Sequence, residues 1–253
     1  MKYLLTGGSV FRNGRFERLD VAIDQGLSLI HISHTDHISG LQTLINRCRA
    51  PIYASEATAR GLSYRVAGVD DLLCPFSSGE SVQLDGCTVT PFPTSHDAAG
   101  STGYRVDTSD GSVGLLTDTG YVTETAAEVL CGVDLLVLEA NHDVETLRSG
   151  PYPYFLKRRI LGADGHLCNE DAARFAVTLA GSGTSELVLA HLSRENNTPA
   201  MALRAVETAL CAAGLAPRVS PESDASPGPR LSVAPRETLG EAHMVSGRAV
   251  CRR

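Results

Sequence analysis

The chain has 253 residues, 22 Lys plus Arg against 29 Asp plus Glu (net −7), 43% hydrophobic and 20% charged residues, the composition of an ordinary globular protein. No apolar run approaches the roughly 20 residues of a membrane helix, and Met1 to Gly7 lacks a basic, apolar leader, so a cytoplasmic protein without membrane association is expected. Seven scattered cysteines, none in a C-x-x-C pair, argue for reduced thiols rather than a disulfide frame, and the acidic balance with no Trp argues against a nucleic-acid coat protein.

In chain order, Tyr3 to Leu5, Val10-Phe11 and Val21 to Ile23 read as short β segments around an Asn13-Gly14 turn. Leu29 to Ile32 is a short apolar stretch. After His37, residues Ile38, Leu41, Leu44 and Ile45 form one helical face, followed by a strand over Pro51 to Tyr53 and a helix from Ser55. Ser81 to Thr94 reads as a strand pair turning at Asp85-Gly86. Tyr104 to Val106, Val113 to Thr117 and Asp134 to Glu139 read as further strands. Helices are expected at Tyr154 to Leu161, Glu170 to Leu179 and Pro199 to Ala213, with strands at Leu187 to Ala190 and Leu231 to Ala234. Pro217 to Pro229, rich in Pro and Ser, reads as a mobile loop. This alternation predicts an α/β or layered α+β fold.

The residues that carry chemistry recur at strand ends. His34-Thr35-Asp36-His37 places three potential metal ligands within four residues, between an apolar stretch and a helix. His96 follows Thr94-Ser95, Asp118 lies in Leu116-Thr117-Asp118-Thr119-Gly120, and His191 follows Leu189-Ala190. One such residue alone reads as structural. Several at strand ends read as a metal site, because burying so many ionisable groups without a cation is costly.

The stretches HTDHISGL (34 to 41), TSHDAAGSTGY (94 to 104), TDTG (117 to 120), LEANHD (138 to 143), GPYPYFLKRRILG (150 to 162), GHLCN (165 to 169) and LAHLSRENN (189 to 197) together resemble the metallo-β-lactamase-fold hydrolases. The closest resemblance is to their YycJ/WalJ-like branch of 5′ to 3′ DNA exonucleases, over about His34 to Arg236. It implies an α+β fold, the αββα sandwich, with an atypical N-terminal part at 1–33 before the main domain at 34–253. It also implies two divalent ions, Zn or Mn. His34 and His96 would bind the first, Asp36, His37 and His191 the second, and Asp118 both. A metal-bound hydroxide is the implied nucleophile, with Asp36 and His166 as the catalytic residues and Glu139 and Asn141 as support. His142 reads as structural. The aromatic and cationic run Tyr152, Tyr154, Phe155, Lys157, Arg158, Arg159 suits single-strand stacking and phosphate steering, and Arg194 adds a phosphate contact. The implied substrate is DNA or another phosphodiester. Acyl, lactone or thioester hydrolysis by the same fold, or a catalytically impaired metal-binding relic, are the alternatives.

The family motif H-x-H-x-D-H places its first His two positions before His34, where Ile32 stands. His31 is one residue out of register, which on a strand points to the opposite face, so the first metal site is expected to be weak. Residues 1–26 resemble the start of dihydroorotase-like amidohydrolases, and LSLIHIS (27 to 33) resembles the translation of a transposon-end sequencing adapter. These resemblances imply a chimeric junction at 27–33. Amplification across that junction from source DNA should then give no continuous product, whereas a continuous product would make 1–33 native.

Overall fold

The computed structural model describes residues 3–12, 15–23, 28–30, 34–77, 79–84, 86–219, 226–236 and 243. His31, Ile32, the Asn13-Gly14 turn, Asp85, most of the implied junction and residues 220–225 of the Pro/Ser-rich segment lie outside them. The chain divides into two compact units, the first comprising 1–80, 97–102 and 235–241, the second 81–96, 103–234 and 242–253.

The first unit opens with an antiparallel hairpin of β1 (Tyr3–Arg12) and β2 (Arg15–Ile23), closing at the Arg12 and Arg15 pair, with a bulge between Leu5 and Gly8. Next comes a parallel three-stranded sheet of β3 (Ser28–Ile30), β4 (Ile52–Ser55) and β5 (Leu73–Phe76), with β4 in the middle. The helices α1 (Thr35–Ile38), α2 (Leu41–Cys48) and α3 (Glu56–Ser63) interleave with these strands. The expected apolar face does the packing: Ile38, Leu41 and Ile45 are buried with Ile30, Ile52, Ala54, Leu62 and Val69. Ser55 caps α3 by accepting from the Thr58 amide (3.2 Å), and its hydroxyl donates to the Gly100 carbonyl (2.8 Å).

The second unit is built on a seven-stranded mixed sheet in the order β12-β11-β10-β9-β8-β7-β6. Its strands are β6 (Val82–Leu84), β7 (Cys87–Pro93), β8 (Thr102–Thr108), β9 (Gly111–Leu116), β10 (Leu135–Glu139), β11 (Glu186–Ala190) and β12 (Arg230–Val233). The strands β9, β10, β11 and β12 run parallel, whereas β8 is antiparallel to β9 and β6 to β7. Every residue of β10 and β11 is buried, as expected of parallel strands covered on both faces. The helices are α4 (Glu124–Leu130), α5 (Val144–Ser149), α6 (Tyr154–Ile160), α7 (Asn169–Gly181) and α8 (Pro199–Ala212). Leu136, Leu138, Leu187 and Leu189 pack with Ala172, Phe175, Ala176 and Leu179 of α7 and with Ala202, Val206 and Leu210 of α8.

Three residues of the parallel block fall at one edge by register. Leu138 pairs with Leu116 and Glu139 with Ala190, so Asp118, Glu139 and His191 all sit at the carboxyl ends of adjacent strands. This is the edge at which parallel sheets present ligand-binding groups. Leu138, fully buried beside Glu139, supports that edge. Leu138→Ala should lower unfolding stability by about 2–5 kcal/mol, read as a reduced urea midpoint with unchanged slope.

Candidate metal centre

In the second unit, Asp118, Glu139, His166 and His191 each offer an atom within 4.8 Å of the others. Glu139 is completely buried and accepts four hydrogen bonds. Its Oε1 takes Nδ1–H of His166 and Nδ1–H of His191, both at 2.8 Å. Its Oε2 takes the amides of Thr119 (2.9 Å) and Leu167 (3.3 Å). Burial alone would raise the Glu139 pKa. The adjacent charge and hydrogen bond of His166, followed by those of His191, outweigh burial and lower it to about 2. The group is therefore a buried anion that fixes two rings.

His96 is fixed differently. Its Nδ1 lies 2.8 Å from the Gly165 carbonyl oxygen, which can only accept, so the proton sits on Nδ1 and Nε2 carries a lone pair. His191 holds its proton on Nδ1 for the same reason. The Oδ1 of Asp118 is 3.5 Å from His96 Nε2 and 3.7 Å from His191 Nε2. Those separations are longer than good hydrogen bonds. They approach the about 3.3 Å between ligand atoms of a tetrahedral ion with bonds of about 2.0–2.1 Å. Two imidazole lone pairs and a carboxylate thus converge, with the outer ring nitrogens held by a carbonyl and a carboxylate, as in metal sites with oriented histidines. The donor set fits a divalent cation.

The backbone is bent to aim these groups. Asp118 has φ 55° and His191 φ 57°, left-handed values that non-glycine residues rarely adopt and that cost on the order of 1–3 kcal/mol each. The loop carrying His166 is pinned beside them. Ser95 Oγ donates to the Ala163 carbonyl (2.9 Å) and Asp164 Oδ1 (3.2 Å), and the His166 amide donates to the Ile160 carbonyl (3.0 Å). Gly120 completes the crossing, since a Cβ there would collide with the Ala163 carbonyl.

Of the other expected residues, Asn141 supports the edge by donating from Nδ2 to the His191 carbonyl (2.9 Å). Asn169 and Asn197, the last residues of their motifs, are a buried amide pair at 2.8 and 3.0 Å, and Asn197 also donates to the Ala140 carbonyl (2.8 Å). His142 is buried, with neither ring nitrogen hydrogen-bonded among the described residues, and burial pushes its pKa down to about 4. Lys157 serves the fold, donating from Nζ to the carbonyls of Arg148 and Gly150, both at 2.7 Å. Arg158 is exposed, 6.0 Å from the Tyr154 ring centre, and Arg194 is exposed beyond His191. His34, Asp36 and His37 belong to the first unit. His34 precedes α1, its carbonyl accepting from the His37 amide (3.1 Å), and His37 is buried. Composition gave no sign that Glu139 would hold two histidines at once.

A mixed sheet flanked by helices, with His, Asp and Glu gathered at its carboxyl edge, defines the metallo-β-lactamase fold class, to which divalent metal binding belongs. Residues 18–192 match the beta-lactamase superfamily domain. The chain is 36% identical over 203 residues to exodeoxyribonuclease YycJ of Bacillus anthracis, spanning 80% of this chain and 75% of that protein. It is 40% identical over 177 residues to exodeoxyribonuclease WalJ of Streptococcus pneumoniae, spanning 69% of this chain and 66% of that protein. The metallo-β-lactamase fold protein YhfI of Bacillus subtilis is similar in structure, with a TM-score of 0.56 at 18% identity over 83% of this chain and 75% of that one. The chain belongs to the beta-lactamase superfamily. No helix among the described residues is long and apolar enough to cross a membrane.

Glu139→Gln should weaken metal binding about 10–100-fold, the usual effect of losing a group that orients ligating histidines, as measured by chelator competition. Unchanged affinity would show that Glu139 does not set the His191 ring.

Proposed function

We propose that this protein is a metal-dependent exodeoxyribonuclease. The observation that carries the reading is the shared carboxylate: Glu139 holds a candidate metal ligand, His191, and a histidine that lies beside the convergent donors, His166, with one oxygen. The names of the relatives at 36% and 40% identity support phosphodiester chemistry over acyl, lactone or thioester hydrolysis.

His96, Asp118 and His191 would hold divalent metal. His34, Asp36 and His37 are assigned as further ligands because they occupy the matching positions of the family motif, giving two ions, Zn or Mn. Bound metal supplies a water of lowered pKa and neutralises phosphoryl charge. The chain's own residues do the rest. His166 keeps Nδ1–H on Glu139, so its Nε2 is the atom free to give a proton to the phosphate or to the departing oxygen. A Glu139 carboxylate at 2.8 Å stabilises the imidazolium that donates it. Asp118 and His191 both hold left-handed backbone, which persists only where the surroundings over-determine it. Asp36 is assigned a catalytic role with His166, and Arg194 a contact to phosphate.

Elemental analysis of the purified protein, together with cleavage of a 5′-labelled single strand in Mn²⁺ or Zn²⁺, tests the reading. Metal with release of mononucleotides from the 5′ end is the expected result, and metal-loaded protein that leaves DNA intact would overturn it. His166→Ala should lower kcat about 10²–10⁴-fold with metal content unchanged. A comparable loss of metal would instead make His166 a ligand.

A further inference from the structure

The helix α6 departs from the way helices are normally held. It has seven residues, well under the roughly 12–15 at which an isolated helix becomes even marginally stable, and none of them is buried. Tyr154 is 76% exposed and Phe155 73%, with Leu161 of the next turn 41% exposed. Polar anchors replace packing. Lys157 Nζ donates to the carbonyls of Arg148 and Gly150, both at 2.7 Å, and the following loop is tied to Ser95, whose Oγ donates to the Ala163 carbonyl (2.9 Å). These anchors fix the helix while leaving its two rings facing outward.

A large aromatic ring can bury about 150–250 Å² when covered, so two adjacent exposed rings on a well-anchored helix mark a surface that gains from a partner. The charge pattern narrows the partner. The helix YFLKRRI carries three cations and no acid, in a chain of net charge −7. Its complement is therefore anionic and presents flat apolar faces.

We infer that α6 is a stacking platform for single-stranded DNA, in which Tyr154 and Phe155 receive unpaired bases and Arg158 meets the backbone phosphates. This deepens the nuclease reading and rests on it for the choice of DNA. Single strands offer base faces that a duplex keeps within its own stack, and stacking on aromatic rings is tolerant of sequence. The helix is about 10 Å long at about 1.5 Å per residue, enough for about three bases at about 3.4 Å. Its last residue is also tied directly to the chemistry, since the Ile160 carbonyl accepts the His166 amide at 3.0 Å. The platform and the proposed proton donor thus belong to one hydrogen-bonded segment.

Binding is read with metal-loaded protein and phosphorothioate-linked oligonucleotides that resist cleavage, so turnover enters no readout. The double variant Tyr154→Ala/Phe155→Ala should bind a short oligothymidylate at least about tenfold more weakly, as two lost stacking contacts require, with less than about twofold change on a blunt duplex. The chain contains no Trp, so Phe155→Trp introduces a lone indole, excited apart from the tyrosines at the red edge of its absorption, that oligothymidylate should quench and blunt duplex should not. Unchanged single-strand affinity, an equal loss on duplex, or an unquenched indole would overturn the platform. Stronger quenching by oligouridylate would overturn its assignment to DNA. Quenching in the Phe155→Trp variant, together with wild-type protein that cleaves no DNA, would sink the nuclease reading and leave the platform standing.

Discussion

The Glu139 carboxylate is the interaction on which the rest of the centre depends. An anion with no solvent contact is tolerable only when its oxygens are satisfied, and here four N–H groups converge on it from three segments. Thr119 comes from the turn after β9, His166 and Leu167 from the loop before α7, and His191 from the end of β11. One carboxylate therefore joins three loops and sets the tautomer of two imidazoles. With their Nδ1 protons committed to Glu139, both rings can act only through Nε2, which in His191 lies 3.7 Å from Asp118 Oδ1.

Bent backbone, a close loop crossing and a buried amide pair hold this edge together. Asp118 and His191 both hold left-handed backbone, a conformation that persists only where surroundings over-determine it. The neighbouring glycine at 120 lets the Ala163 carbonyl cross where no side chain would fit, and the Asn169–Asn197 pair joins the start of α7 to the segment leading into α8. Gly120, Asn169 and Asn197 of the family motifs thus serve loop closure.

Much of the architecture was legible because it rests on short-range patterns. The Ile38, Leu41, Leu44, Ile45 spacing marked the apolar face that packs into the first unit, and continuous apolar runs marked β10 and β11. The missed elements lack such patterns. The strand β5 has four residues and contains Pro75, while α4 and α5 have seven and six residues, near the lower limit of a recognisable helical period. Lys157 illustrates a different limit: its place in a cationic run suggested phosphate binding, yet its ammonium is held by two carbonyls of the preceding turn.

The sequence by itself determined the inventory: which strand ends carry His, Asp and Glu, and which helix carries aromatics among cations. Family membership followed from the order of those motifs. Only the tertiary structure decided which groups meet, because Glu139 finds its partners 27 and 52 residues away. The longer distance is closed by the parallel register of β10 and β11 and the shorter by the loop before α7, whose Leu167 carbonyl accepts the Asn141 amide (2.8 Å), and no local spacing encodes either pairing. Hydrogen-bond geometry then assigns roles that residue type leaves open, making Glu139 an orienting anion, His96 and His191 donors of Nε2 lone pairs, and Lys157 an anchor.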